Sequence, residues 1–313
     1  MAKVEDFSAR PALGVGLKVT AILLFTFMSA IIKATADEVP PGEAVFFRSF
    51  FAIPVILIWL AQRGQLAYGL KAKNPMVHVW RGLFGTTAMG LTFAGLGLLP
   101  LPEVTAIGFA APIFTVILAA VLLGEQIRLV RVTAVALGLV GVMIILWPRF
   151  SDIGTMEQTA TIGALLVLMA TMMRSLVQIH LRQMVQSEHT AAIVFYFSVT
   201  ASLLALLTLP FGWVVPSWET AALLALAGLI GGVAQILVTS SYRFGTVSML
   251  APYDYTSMLF AIVIGYFFFS ELPTMVMLAG ALLVIAAGAL VIWRESQLGM
   301  DRSKARSVTD PKA

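Results

Sequence analysis

LLGEQIRLVRVTAVALGLVGVMIILW at 122–147 returns as FFSELPTMVMLAGALLVIAAGALVIW at 268–293. The shift is 146 positions (271 − 125) and carries Glu125 onto Glu271 and Trp147 onto Trp293. Working outward, it also carries Gly82 onto Gly228, Gly85 onto Gly231 and Ser29 onto Ser175. Identities between two Leu/Ala/Val-rich stretches arise readily by chance. The stronger sign is that every hydrophobic segment boundary survives the shift without an insertion. Each half holds five such segments, and five is odd, so the second half enters the membrane from the opposite side. The pattern predicts an inverted repeat, a plan in which a site between two halves can face either side.

Composition sets the class. The chain is 59% hydrophobic and 12% charged with mean hydropathy +0.94, against roughly 25% charged residues in a soluble domain. A net charge of +4 and pI near 9.5 come without a basic stripe interleaved with aromatics, so no nucleic-acid partner is expected. The lipid bilayer is. With no cysteine, disulfides, thiolate metal sites and cysteine nucleophiles are excluded.

A span needs ~20 apolar residues. Candidates lie at 12–34, 43–62, 76–98, 101–123, 130–148, 161–181, 190–211, 218–241, 246–269 and 273–293. The expected fold is an all-α integral membrane protein of ten transmembrane helices in a 5+5 inverted-topology repeat. Its parts are an N-terminal segment (1–11), which lacks a small-residue cleavage site, a first repeat (12–148), a linker (149–160), a second repeat (161–293) and a disordered tail (294–313). Fourteen basic residues fall on one side of this arrangement. They run from Lys3, Arg10 and Arg63 to Arg302, Lys304, Arg306 and Lys312, and only Arg149 falls on the other. That asymmetry predicts both termini in the cytoplasm and a multi-pass protein of the inner membrane.

Gly82, Gly85, Gly138, Gly141, Gly228, Gly231 and Gly232 lie within spans, where glycine lets helix backbones approach closely. Pro54, Pro112 and Pro252 can interrupt helical hydrogen bonding where a neighbour or cavity satisfies the freed groups. Pro252 stands out because Asp254 follows it.

Ionisable residues inside spans are costly, at ~2.5–3.5 kcal/mol on insertion scales, and point to a functional site. Counting ~1.5 Å per residue puts Asp254 about 12 Å, Arg174 about 10 Å and Arg81 about 7 Å from the cytoplasmic face. Their repeat counterparts, Gly108, Met28 and Ala227, are uncharged. An asymmetric polar patch on a repeated scaffold suits an asymmetric ligand. The bland alternative is a structural ion pair of Asp254 with Arg174 or Arg81. Tyr253 and Tyr255 flank Asp254, and Gln178 lies one turn beyond Arg174. Gln235 and Tyr242 on the eighth span, with Thr92 and Trp80 on the third, complete a set suited to a small organic ligand. Arg48, read as meeting Glu43 or Glu103, is assigned a structural role along with Glu125 and Glu271. Lys33 is expected to snorkel toward Asp37 and Glu38. One deep carboxylate suits a hard cation poorly, so no metal and no cofactor are expected. His78, His180 and His189 have no metal-ligand spacing. No Walker A sequence, nucleophile elbow or Asp-rich diphosphate motif occurs, so no enzyme activity is expected.

LPLPEVTAIGFAAPIFTVILAAVLLGEQIRLVRVTAVALGLVGVMIIL at 99–146 and FGTVSMLAPYDYTSMLFAIVIGYFFFSELP at 244–273 resemble the two EamA domains of the drug/metabolite transporter superfamily. FFRSFFA at 46–52 and HVWRGLFG at 78–85 add to the likeness. The resemblance implies an EamA-type transporter with a central cavity between the halves. Its cargo would be an amino acid, a vitamin such as riboflavin, or a nucleoside-like compound such as S-adenosylmethionine. PYDY at 252–255 departs from that pattern, with a charge at a position usually small or apolar.

The expected mechanism is alternating access, with substrate near Asp254, Arg81 and Arg174. Proton coupling through Asp254, uncoupled movement and a homodimer all stay open at this point. So do import versus export and the cargo itself. The competing classes are a membrane receptor or scaffold, which lacks an output domain here, and an intramembrane enzyme, which lacks a paired acid and base.

Overall fold

A computed structural model describes residues 11–111, 113, 114, 117, 118, 129–151, 155–244, 250–287, 289, 290 and 293. Regular structure among them is entirely helical. The first half contains α1 (Pro11–Ala34), α2 (Pro41–Phe50), α3 (Ala52–Gln62), the single turn α4 (Leu66–Gly69), α5 (Pro75–Leu98), α6 (Leu101–Gly108) and α7 (Leu129–Ser151). The second contains α8 (Thr155–Ser187), α9 (Thr190–Leu206), α10 (Trp218–Phe244), α11 (Thr256–Phe269) and α12 (Met275–Ala287), with 3-10 turns at Leu209–Phe211 and Ala251–Tyr255. Four stretches of the described residues are long and apolar enough to cross a bilayer: Ala12–Ala34, Pro41–Gln62, Gln158–Gln178 and Trp218–Phe244. Glu125, the N-terminal segment before Pro11 and the tail after Trp293 lie outside the described residues.

The predicted second span is two helices, interrupted at Phe51. Pro54 has no N–H to return to the preceding turn, and its ring crowds that turn. The segment expected to link the halves is largely helical, because α7 runs on to Ser151 and α8 starts at Thr155.

Packing follows the repeat. The two most extensive helix pairings are α1 with α10 and α5 with α8. A shift of 146 turns α1 into α8 and α5 into α10, so it exchanges one pairing for the other. Glycine permits a close crossing between α7 and α12. A Cβ on Gly280 would lie 2.7 Å from the Gly141 carbonyl oxygen, and one on Gly141 would lie 2.9 Å from that of Gly280.

Two helices break at matching places. α6 ends at Gly108, where Phe109 and Ala110 donate their N–H groups three residues back, to Ala106 and Ile107. Its counterpart is the 3-10 turn Ala251–Tyr255, which carries Asp254 at the position equivalent to Gly108. Three-residue bonding within a spanning segment marks a tightened, non-ideal turn.

Loops tie the bundle at both ends. At one end, Glu38 accepts hydrogen bonds from the Ser217 N–H and the Thr220 hydroxyl, and Glu43 accepts one from the Val214 N–H at 3.1 Å. At the other, Glu188 accepts from the N–H groups of Lys73 at 3.0 Å and Asn74 at 2.9 Å.

Candidate functional site

The interrupted helices meet around one ion pair. The Lys18 ammonium on α1 lies 2.8 Å from Asp254 Oδ1 and donates to the Tyr242 hydroxyl at 3.1 Å. Lys18 is buried, whereas 44% of the Asp254 side chain is accessible. The carboxylate is thus held from behind and still open on its other face. Arg174 lies within electrostatic reach of Asp254, keeps an accessible side chain, and donates to the Thr92 hydroxyl at 3.0 Å. It sits against the other break: a Cβ on Gly108 would come 3.8 Å from Arg174 Nη1. Tyr255 packs edge-to-face on Phe109 at 5.3 Å between centroids, and its buried hydroxyl has no hydrogen-bond partner among the described residues.

Of the predicted site residues, Asp254, Arg174, Tyr255, Tyr242 and Thr92 therefore converge. Tyr253 and Gln178 are half-buried and make no side-chain hydrogen bond among the described residues. Trp80 stacks on Phe84 at 5.7 Å with 47% of its surface exposed, on the outside of the bundle. The alternative of a direct ion pair of Asp254 with Arg174 or Arg81 is not what forms; Asp254 pairs with Lys18 instead. Sequence reading passed over Lys18, although a lysine so few residues into an apolar helix is the signal that would have found it.

Arg81 belongs to a second cluster. Its guanidinium lies over the Phe197 ring at 4.2 Å from the centroid, and Arg48 approaches the same ring at 5.5 Å. Arg48 donates to Gln235 at 3.5 Å and meets neither Glu43, which turns to the Val214 N–H, nor any other carboxylate among the described residues. Its Nε and Nη1, and Nε of Arg81, are buried without hydrogen-bond partners among the described residues. Glu103 is half-buried.

Lys33 also departs from expectation. It turns inward, pairing with Glu271 at 3.0 Å and donating to the Leu99 carbonyl at 2.7 Å. Ser270 explains the geometry. In the left-handed region (φ 55°) it closes α11, with Glu271 N–H returning to Gly265 O and Ser270 N–H to Tyr266 O. This helix-ending motif swings Glu271 round, and its second oxygen accepts the Leu101 N–H at 2.8 Å. His78 is buried and faces Glu188 at 3.6 Å.

Glu188, outside the helices, is pushed up by burial, but the amides of Lys73 and Asn74 and the His78 ring outweigh this and hold its carboxyl below the usual glutamate range. Glu38 is likewise held low, by the Ser217 amide and the Thr220 hydroxyl.

The model of the EamA-like transporter family matches residues 12–147 and again 161–293. The chain belongs to the EamA-like transporter family. It is 27% identical over 290 residues to the S-adenosylmethionine uptake transporter of Rickettsia bellii, covering 90% of this chain and 97% of that one. It is 28% identical over 276 residues to the pseudopaline exporter CntI of Pseudomonas aeruginosa, covering 88% and 94%. A solved crystal structure superposes with TM-score 0.63 at 21% identity, over 90% of this chain and 97% of that one, and shows the shared fold. This EamA-like protein is a membrane transporter of small organic metabolites, as its family and relatives are.

Proposed function

We propose that this EamA-like transporter moves a zwitterionic metabolite carrying an amino-acid group, by alternating access, and is not an enzyme. The observation that carries the reading is the pair of matched helix breaks with opposite charges at them. Breaks at corresponding places in two repeats are where such carriers hold cargo. Asp254, open on one face, suits an ammonium group. Arg174, planar and accessible, suits a carboxylate through two parallel hydrogen bonds. Tyr255 and Phe109 supply an aromatic wall and one free hydroxyl. Relatives that carry S-adenosylmethionine and pseudopaline support a metabolite of this size class. One of these relatives is an uptake carrier and the other an exporter, so they favour neither direction.

The same reading takes the chain as ten spans in two oppositely oriented repeats, 12–148 and 161–293, around the joining segment 149–160. Both termini are cytoplasmic and the membrane is the bacterial inner membrane. Support comes from the basic-residue asymmetry and from the exchange of α1·α10 for α5·α8.

The test is flux in proteoliposomes loaded with S-adenosylmethionine, single amino acids and flavins. Saturable flux of a zwitterion, lost in Asp254→Asn and in Arg174→Gln, is expected. Zwitterion flux unchanged in both variants, or flux confined to neutral flavins, would overturn the reading.

A further inference from the structure

Two guanidinium groups in the middle of the bundle have no anion among the described residues. Arg48 is 2% and Arg81 5% exposed, on α2 and α5 of the first repeat, with Phe197 on α9 and Gln235 on α10 of the second. Each cationic carbon lies within 5.5 Å of the same ring centroid. The ring face attracts both, but a cation–π contact does not neutralise a guanidinium. A buried charge without a counter-ion is strongly unfavourable. The deficit is visible in the hydrogen bonds. Arg48 makes one long bond, to Gln235, and the Arg81 side chain makes none among the described residues. The carboxylate nearest in sequence to the ring's helix, Glu188, is already engaged by Lys73, Asn74 and His78. Gln235 can present its carbonyl to a guanidinium but cannot neutralise it.

The cluster is also in the right place for traffic. Its four helices come in repeat-related pairs, α2 with α9 and α5 with α10, so it lies between the halves. Met28, beside Arg48 at Gly231, is ten residues from Lys18 on α1, so Arg48 stands about 15 Å from Lys18 along that helix. Gln235 and Tyr242, seven residues apart on α10, put one polar group at each level. The counterparts of Arg48 and Arg81 are Val194 and Ala227, both fully buried and apolar, so repeat packing alone does not call for these charges.

We infer that Arg48 and Arg81 form a second station on the path, a binding site for the carboxylate of the cargo, distinct from the Lys18–Asp254–Arg174 cluster. The two forks close on the carboxylate oxygens from either side of Phe197 when the halves rock and open this level. This deepens the proposed transport of a zwitterion and rests on it, but the site can be tested without flux.

Purified full-length protein is titrated with acetate at fixed chloride while thermal unfolding is followed, with acetamide as the uncharged isostere. A ligand that binds only the native form raises Tm in proportion to its occupancy. Acetate is expected to raise Tm and acetamide to leave it unmoved. R48Q and R81Q should weaken the acetate response about tenfold or more, with R81K intermediate because it keeps charge without the fork. E38Q, distant from the cluster, should respond like wild type. Because the glutamines remove unpaired charge, both variants should fold with Tm no lower than wild type. An acetate response surviving in the R48Q/R81Q double variant overturns the site, as does a response to chloride that acetate cannot reproduce. Zwitterion flux that needs Asp254 alongside such a survival sinks this station alone. Absent flux alongside an arginine-dependent acetate response sinks the transport reading and leaves the site standing.

Discussion

Phe109 and Tyr255 occupy the same place in the two repeats and touch each other, ring edge to ring face, at 5.3 Å. A residue meets its own counterpart only at the line about which the repeats are arranged. That line therefore passes beside Gly108 and Asp254, through the two helix breaks. At the proposed cargo site both halves thus contribute equally by position and unequally by chemistry, with glycine against aspartate and phenylalanine against tyrosine.

The Lys18–Asp254 pair should show coupling in a double-mutant cycle. Asp254→Asn alone leaves a buried lysine without its anion and should lower stability by about 2 kcal/mol, discounted because Asp254 is 44% accessible. Lys18→Met/Asp254→Asn should recover part of that loss. Strict additivity in denaturation of the purified protein would mean the ion pair does not form.

Gly280→Val should be among the more damaging single changes on α12, since its Cβ would lie 2.7 Å from a carbonyl oxygen that cannot move away alone. Overpacking of this kind costs about 1–3 kcal/mol. Gly16, with nothing within 4 Å of its Cβ position, should accept alanine without loss, and the contrast in Tm between the two checks the claim.

Acid should loosen both ends of the bundle. Glu38 and Glu188 have folded-state carboxyls held below their ordinary range, so each stabilises the fold fully above that range. Their contribution fades as pH falls through the lowered values. Stability measured from neutral pH downward should drop less steeply in Glu38→Gln/Glu188→Gln than in wild type. An unchanged acid slope would contradict the assignment.

Glu271 does two jobs, pairing with Lys33 and accepting the Leu101 N–H. Glu271→Gln keeps an acceptor and should lose the smaller part of the stability. Glu271→Ala leaves a lysine and an amide unsatisfied and should cost more, by about 1–3 kcal/mol. Equal Tm values for the two variants would show that the amide contact carries nothing.

Much of this was legible in the chain. The 146-residue shift located matched segments, and the PYDY stretch at 252–255 announced its importance by putting a charge after a proline. Partners were harder to read. Depth counting gave Asp254 and Arg81 similar levels, but level along a helix carries no azimuth. Arg81 faces Phe197 and Arg48, while Asp254 faces Lys18, a partner more than 200 positions away in sequence. Lys33 was assigned to nearby acids by proximity in the chain. The left-handed Ser270 that brings Glu271 to it is a conformation non-glycine residues seldom adopt, and a serine gives little warning of it.

The loop ties have a property that concerns how the chain can vary. Glu43 and Glu188 grip main-chain N–H groups of Val214, Lys73 and Asn74, and a main-chain amide is the same whatever side chain it bears. Those three positions are thus free to drift among every residue except proline, while the glutamates opposite them are not. Fastenings of this type let surface loops diverge between related carriers without changing what keeps each end of the bundle shut.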